Sequence, residues 1–380
     1  MRPTAVRPTV RPTSQTAIPC LFMRGGTSRG PFFSAADLPA DTDARDLVLL
    51  AVMGSPDKRQ IDGLGGAHPL TSKVGIVSRG SQPGVDLDFL FAQLQPDSDK
   101  VDTTPNCGNM LAAVVPFALE TGLVDPQGTG EDSVSTFRVL TLNTGMQCDI
   151  TVQTPGGLVS YEGGARIDGA PGSSAPITIN FLDTAGSVAG SLLPTGKLRE
   201  HIDGIEVTCI DNGMPLVIFS AADVGRTGYE SVEALNADTE LKARIERLRI
   251  AAGHAMGLGD VSAKNYPKMT LIAPPRDGGA LCTRSFIPHV CHDAIGVLAA
   301  VTVATACKLP GTVADGVAQM PGGNPVTVSV EHPTGEFSVE LETDPADPQR
   351  VTRAALLRTA RLLMRGEAMV PRGVWAGPES

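Results

Sequence analysis

No apolar run in this sequence reaches the roughly 18 residues of a membrane-spanning helix, and its N-terminus lacks the charged-then-apolar order of a secretory signal. Both absences lead us to expect a cytoplasmic protein. Paired cysteines are missing too. The seven cysteines, Cys20, Cys107, Cys148, Cys209, Cys282, Cys291 and Cys307, are odd in number, scattered and without a CxxC pair. That pattern argues against a disulfide framework and against a zinc site, so no metal is expected. Basic residues are outnumbered, 31 Lys and Arg against 41 Asp and Glu, for a net charge of −10. Such a balance disfavours nucleic acid and anionic membrane surfaces as partners, and any attraction for an anionic substrate must be local. What remains is a globular composition, 42% hydrophobic and 19% charged over 380 residues, long enough for two domains.

The chain is organised around Thr104-Pro105-Asn106-Cys107-Gly108-Asn109-Met110, which runs directly into the apolar Leu111 to Leu119. Pro105 and Asn106 end the preceding extended run, and the Ala- and Leu-rich sequence after Asn109 predicts a buried helix. Cys107 then falls at or just before its first turn. Free amides there lower a thiol pKa and bind a carboxylate or oxyanion, and Gly108 allows close backbone approach. The plainer alternative is that Cys107 is a small buried hydrophobe, as most free cysteines are.

Residues 1 to 16, with Arg-Pro-Thr repeated at Arg2, Arg7 and Arg11, hold too little apolar content to pack and are expected to be a disordered tail. The strand-like Ile18 to Met23 ends in Arg24-Gly25-Gly26-Thr27-Ser28-Arg29-Gly30, which suits either an anion-binding turn or a hairpin turn. Walker spacing is absent from it. A helix is expected over Ala44 to Met53, then a glycine-rich loop containing His68, then a strand with Lys73 near its start. Short strands follow at Val85 to Leu94, Phe137 to Leu142 and Cys148 to Val152.

The second half repeats the first. Phe33-Ser34-Ala35-Ala36-Asp37 returns 186 positions on as Phe219-Ser220-Ala221-Ala222-Asp223, and Lys73-Val74-Gly75-Ile76-Val77 returns more loosely as Lys268-Met269-Thr270-Leu271-Ile272. Cys107 with Leu111-Ala112-Ala113-Val114 is matched by Cys291 with Leu298-Ala299-Ala300-Val301. This order predicts a duplicated domain with a site in the cleft between its halves, each presenting a helix N-terminus to a substrate with several carboxylates. The chemistry that suits it is enolisation or isomerisation without a cofactor.

The glycine turn at Arg24 to Gly30, Ser72-Lys73-Val74, Asn106-Cys107-Gly108-Asn109 and Asp211-Asn212-Gly213-Met214-Pro215 together resemble the PrpF-like branch of the diaminopimelate epimerase superfamily, from about Ile18 to the C-terminus. The resemblance implies an α+β fold of two pseudo-symmetric domains, 17–190 and 191–380, each a central helix wrapped by a mostly antiparallel sheet or barrel. It implies Lys73 and Cys107 as the acid–base pair, with their order as base and acid left open. Substrate contacts would come from Arg24, Gly25, Gly26, Thr27 and Ser28 in the turn, and from Ser72, Gly108 and Asn109 beside the pair. In the second half they would come from Asn212, Met214, Arg284, Ser285, Cys291 and His292. Cys291 stands where the epimerases carry a second catalytic cysteine, but Cys291-His292-Asp293-Ala294-Ile295-Gly296 departs from their Cys-Gly-Thr-Gly, which argues against amino-acid epimerisation.

The activity so implied is keto–enol interconversion of the tricarboxylate 4-oxalomesaconate in the breakdown of gallate and related aromatic acids. Two alternatives stay open: a 1,3-allylic isomerase of the same acid or an aconitate-like tricarboxylate, and a non-catalytic carboxylate-binding protein. Assembly into a homo-oligomer is compatible with the sequence and is not required by it. The charged stretch Thr239 to Ala252 reads as a solvated helix, and Trp375 as packing.

Overall fold

The described residues open on a hairpin, its first strand alternating roughly between buried and open positions and its second mostly buried. A computed structural model describes residues 14–377, so most of the expected tail, residues 1–13, lies outside the described residues. Gln15 and Thr16 already belong to β1 (Gln15–Gly25), which turns through Gly26 and Thr27 into β2 (Ser28–Ser34). Gly26 takes φ +53°, the left-handed conformation that a two-residue turn asks of its first central residue. The glycine-rich segment is therefore a hairpin turn.

A 3-10 turn leads to α1 (Thr42–Met53), whose N-cap Asp41 accepts from the Ala44 amide. β3 (Lys73–Arg79) runs parallel to β2, and β4 (Leu87–Leu94) pairs antiparallel with β3. The short β5 (Val101–Asp102) then precedes α2 (Gly108–Leu111) and α3 (Val114–Thr121). The single helix expected over Leu111 to Leu119 is thus broken at Ala112 and Ala113. Pro116 explains the break, since it cannot donate to Ala112 and its ring crowds that carbonyl. Three further strands follow, β6 (Val134–Thr141), β7 (Gln147–Gln153) and β8 (Ile177–Phe181).

The repeated sequence is a repeated topology. After β9 (Glu200–Ile202), the hairpin of β10 (Ile205–Asp211) and β11 (Pro215–Ser220) leads through a 3-10 turn to α4 (Val232–Ala237) and α5 (Thr239–Ala255). β12 (Lys268–Ala273) is parallel to β11, and β13 (Leu281–Phe286) antiparallel to β12. These match β2, β3 and β4. The buried α6 (Val297–Lys308) comes next, then β14 (Val326–His332), β15 (Gly335–Asp344), β16 (Asp347–Arg358) and β17 (Ala360–Pro371). The class is α+β, with a buried helical element in each repeat.

Two compact units result, and their limits are not those of a simple halving at 190. One holds the described residues up to Val124, Thr141–Gly145 and those from Arg361 on; the other holds Asp125–Leu140 and Met146–Ala360. The reason is strand pairing: β17 returns to β1, and β8 pairs with β16. In the first unit α1 packs Val48, Leu49, Val52 and Met53 against Val74, Ile76 and Ala92, with Trp375 at the margin. Phe32 meets Phe89 and Phe117, the last a residue of α3. Burying each such ring contributes about 1.5–3 kcal/mol.

In the second unit α5 buries Leu241, Ile245, Leu248 and Ala252 against Val217, Phe219, Met269 and Leu271. It is therefore half core, and the expectation of a solvated helix holds only for its outer side. Even Arg249 is fully buried, paired with Glu246 and donating to the carbonyls of Val261, Lys264 and Tyr266. α6 packs against β10, β11 and β14 to β16.

Candidate active site

Of the seven cysteines, Cys107 alone is not buried. Its backbone is extended (φ −132°, ψ 98°) as the N-cap of α2, and its thiol makes no capping bond. The expected position at the head of the helix is therefore observed. The helix behind it is a single turn of four residues, however, and so short a helix carries little macrodipole. The other thiols are held protonated by burial: Cys20 and Cys291 are pushed up to about 11, Cys209 and Cys307 to about 12, and Cys148 and Cys282 are also raised.

Lys73 is the first residue of β3 and only 7% exposed. The β3–β4 register sets it opposite Gln93, whose Oε1 accepts from its Nζ. Its ammonium also lies 4.8 Å from the centre of the Phe91 ring. Among the described residues no carboxylate is paired with it. Before it, Ser72 is buried and its hydroxyl donates within the loop, to Gln60 Oε1 (2.7 Å) or the His68 carbonyl (2.9 Å). His68 is an exposed loop residue whose Nδ1 accepts from the Leu70 amide.

The hairpin turn meets the first turn of α2. A Cβ on Gly25 would fall 2.3 Å from the Asn109 carbonyl oxygen, and one on Gly26 2.1 Å from Asn109 Oδ1. These glycines serve close packing against Asn109, whose Nδ2 donates to Thr27 Oγ1 at 2.9 Å. Ser28 is 1% exposed and its hydroxyl finds no hydrogen-bond partner among the described residues. Half-buried Arg24 donates to the Gly26 carbonyl, and burial followed by the nearby charge of Arg361 lowers its pKa. The first unit thus gathers Arg24, Thr27, Ser28, Gly108 and Asn109 around the turn and the head of α2.

In the second unit the expected residues divide. β12 pairs Leu271 with Arg284 and Thr270 with Ser285, so these two couples face opposite sides of the strands. Leu271 belongs to the α5 core together with Cys291, whereas the Ser285 and Thr270 hydroxyls bond each other at 3.1 Å. Arg284 is 8% exposed and donates to the Glu230 and Thr283 carbonyls and to Cys282 Sγ. Cys291 is 2% exposed and bridges to Phe286, while the N-cap of α6 is Gly296, five residues further on. The thiol expected at the head of the second helix is not there. Exposed His292 accepts from the Ala294 amide and so caps the intervening loop.

Asn212 is 3% exposed; its Oδ1 accepts from Thr184 and its Nδ2 donates to Thr305 of α6. Met214 offers its carbonyl to Thr302. Both tie the β10–β11 turn to α6. Sequence reasoning passed over Gln93 and Phe91, although a glutamine closing the apolar run Phe89 to Ala92 was a visible signal.

A family model described as PrpF protein matches residues 15–371. The chain belongs to the PrpF family. It is 57% identical over 360 residues to (4E)-oxalomesaconate Delta-isomerase of Novosphingobium sp. (strain KA1), covering 95% of this chain and 99% of that protein. To 4-oxalomesaconate tautomerase of Pseudomonas putida it is 52% identical over 365 residues, covering 96% and 99%. Among solved structures, methylitaconate-delta-isomerase superposes with a TM-score of 0.84 at 32% identity, covering 97% of this chain and 99% of that one. This PrpF-family chain is accordingly an enzyme of the isomerase class. Among its described residues no helix is long and apolar enough to cross a membrane, and no cluster of His, Cys, Asp or Glu is arranged to hold a metal.

Proposed function

We propose that the chain isomerises 4-oxalomesaconate by proton transfer, with Cys107 and Lys73 as the exchanging groups. The observation that carries this reading is the contrast among its thiols: six are buried and Cys107 stands unburied at the N-cap of α2, in the same unit as a lysine that no carboxylate among the described residues pairs with. One group removes a proton from carbon beside the oxo group, and the enolate is held by Lys73 and neighbouring amides. A proton then returns to oxygen, giving the enol tautomer. No electrons are exchanged with a second reactant, so the balance calls for no cofactor.

Arg24 and Arg361 supply local positive charge for carboxylates in a chain that is net negative. Asn109, bonded to Thr27, and the Ser28 hydroxyl, which finds no partner among the described residues, offer further polar contacts. Arg284, Cys291, Asn212 and Met214 take no part in the proposed site, because their polar groups are committed to the fold. We place the reaction in the breakdown of gallate and similar aromatic acids, and in the cytoplasm, where a reducing environment keeps such a thiol free.

A second reading returns the proton to the far carbon of an allyl system instead. The higher identity to a relative named Delta-isomerase favours it. Proton NMR of 4-oxalomesaconate with purified protein in deuterated buffer separates the two. Deuterium exchange at carbon with only keto and enol signals supports tautomerisation, and a shifted carbon–carbon double bond supports allylic isomerisation. Wild-type turnover in folded Cys107→Ser and Lys73→Ala together would sink both.

A further inference from the structure

We propose that Gln93 is a positioning residue that keeps the charge of Lys73 oriented and un-neutralised for an anionic substrate, with Phe91 as the second wall of the same holder. This rests on the reading of Lys73 as a reacting group. The β3–β4 register fixes the pairing, since Lys73 stands opposite Gln93 and Gly75 opposite Phe91. Gly75 is needed there: a Cβ on it would fall 2.3 Å from the Phe32 ring.

The amide of Gln93 has one workable orientation. Its Nε2 donates to the carbonyls of Pro69 (3.1 Å), Ser72 (3.1 Å) and Leu94 (3.0 Å). Flipped, the oxygen would face three carbonyl oxygens and the NH2 would face an ammonium. The carbonyl of Gln93 is therefore committed to Lys73, and the lysine is tied to the loop that precedes it. An amide oxygen and an aromatic face both stabilise an ammonium without cancelling its charge. A glutamate in the same place would neutralise the cation and would also set its second oxygen against those three carbonyls. The choice of amide over acid is thus a choice about charge, and the charge is what a tricarboxylate meets.

The test is the kinetics of 4-oxalomesaconate turnover across pH for Gln93→Glu and Phe91→Leu, beside Lys73→Ala. The carboxylate of Gln93→Glu neutralises the neighbouring cation, so the alkaline limb of the kcat/KM profile moves up by about one unit, and KM rises about tenfold. Phe91→Leu removes the ring and leaves the three carbonyls untouched, so it moves the same limb down. Opposite displacements are not what general structural damage produces. An unchanged limb and KM in Gln93→Glu would overturn the proposal. If Gln93→Glu does not fold, an unmoved or raised limb in Phe91→Leu would do so. Wild-type turnover in Lys73→Ala removes the underlying reading instead, whatever the other variants show.

Discussion

Cys107 and Cys291 hold matching places in the duplicated sequence, and so do Lys73 and Lys268, but the two repeats surround them differently. Cys107 caps its helix and is not buried; Cys291 lies five residues short of its helix cap, inside the α5 core, with its thiol pushed up to about 11 by burial. Lys73 has an amide acceptor and an aromatic ring. Lys268 also opens its strand, and its Nζ lies 3.4 Å from where a Cβ on the N-cap Gly296 would sit. Yet β13 ends at Phe286, before it could set a glutamine opposite Lys268, and burial lowers its pKa. The two repeats share the strand order and a buried helix; the unburied N-cap thiol and the ammonium held by an amide and a ring occur in one of them.

The largest effect that would break this comparison is catalytic. Cys107→Ser and Lys73→Ala should each lower kcat/KM by roughly 10²–10⁴-fold, the span of a lost acid–base group. Cys291→Ser should leave it within about threefold, because a thiol raised by burial offers little thiolate. Iodoacetamide mass mapping should agree, with Cys107 modified first and protected by substrate. Comparable losses for both cysteines would mean that the repeats are functionally equivalent.

A middle-sized contrast lies between two asparagines. Asn212 joins Thr184 to Thr305 in a buried network, whereas Asn109 joins the hairpin turn to the head of α2. Asn212→Ala leaves buried hydroxyls without their partner and should lower unfolding free energy by about 1–3 kcal/mol, with kcat/KM nearly unchanged. Asn109→Ala should do the reverse, raising KM with a smaller loss of stability. Urea unfolding and steady-state kinetics on the same preparations check both.

Much of this was legible in the sequence. The strand at Lys73 and the repeat of Phe33 at Phe219 follow from local patterns and appear in place, and the helix after Asn109 appears as two pieces broken at Ala112 and Ala113. Asn212 was not legible, because a turn asparagine looks the same whether it faces a ligand or Thr305. Cys291 misled for a related reason: it stands seven residues before Leu298 where Cys107 stands four before Leu111, and those three extra residues place the thiol in a core and not at a helix cap. Gln93 is defined only by register, which pairs residues 20 apart. The domain limits were hidden likewise, since β17 pairs with β1 across the length of the chain.

The smallest expected effect concerns the second unit alone. His332 is half-buried beside Phe337, and burial first, then the charges of Arg358 and His292, push its pKa down to about 4 against the opposing pull of Asp168. The folded state therefore prefers the neutral ring, while the unfolded chain takes up a proton near the ordinary value of about 6.5. Its contribution to stability is complete above that value and is lost as pH falls toward 4, because the unfolded state binds the extra proton in that window. His332→Gln should flatten the fall in unfolding free energy between about pH 6.5 and 4.5 by up to one proton's worth of slope. Parallel wild-type and variant curves in urea titrations over that window would show that acid sensitivity arises elsewhere, and would remove one of the differences between the two units.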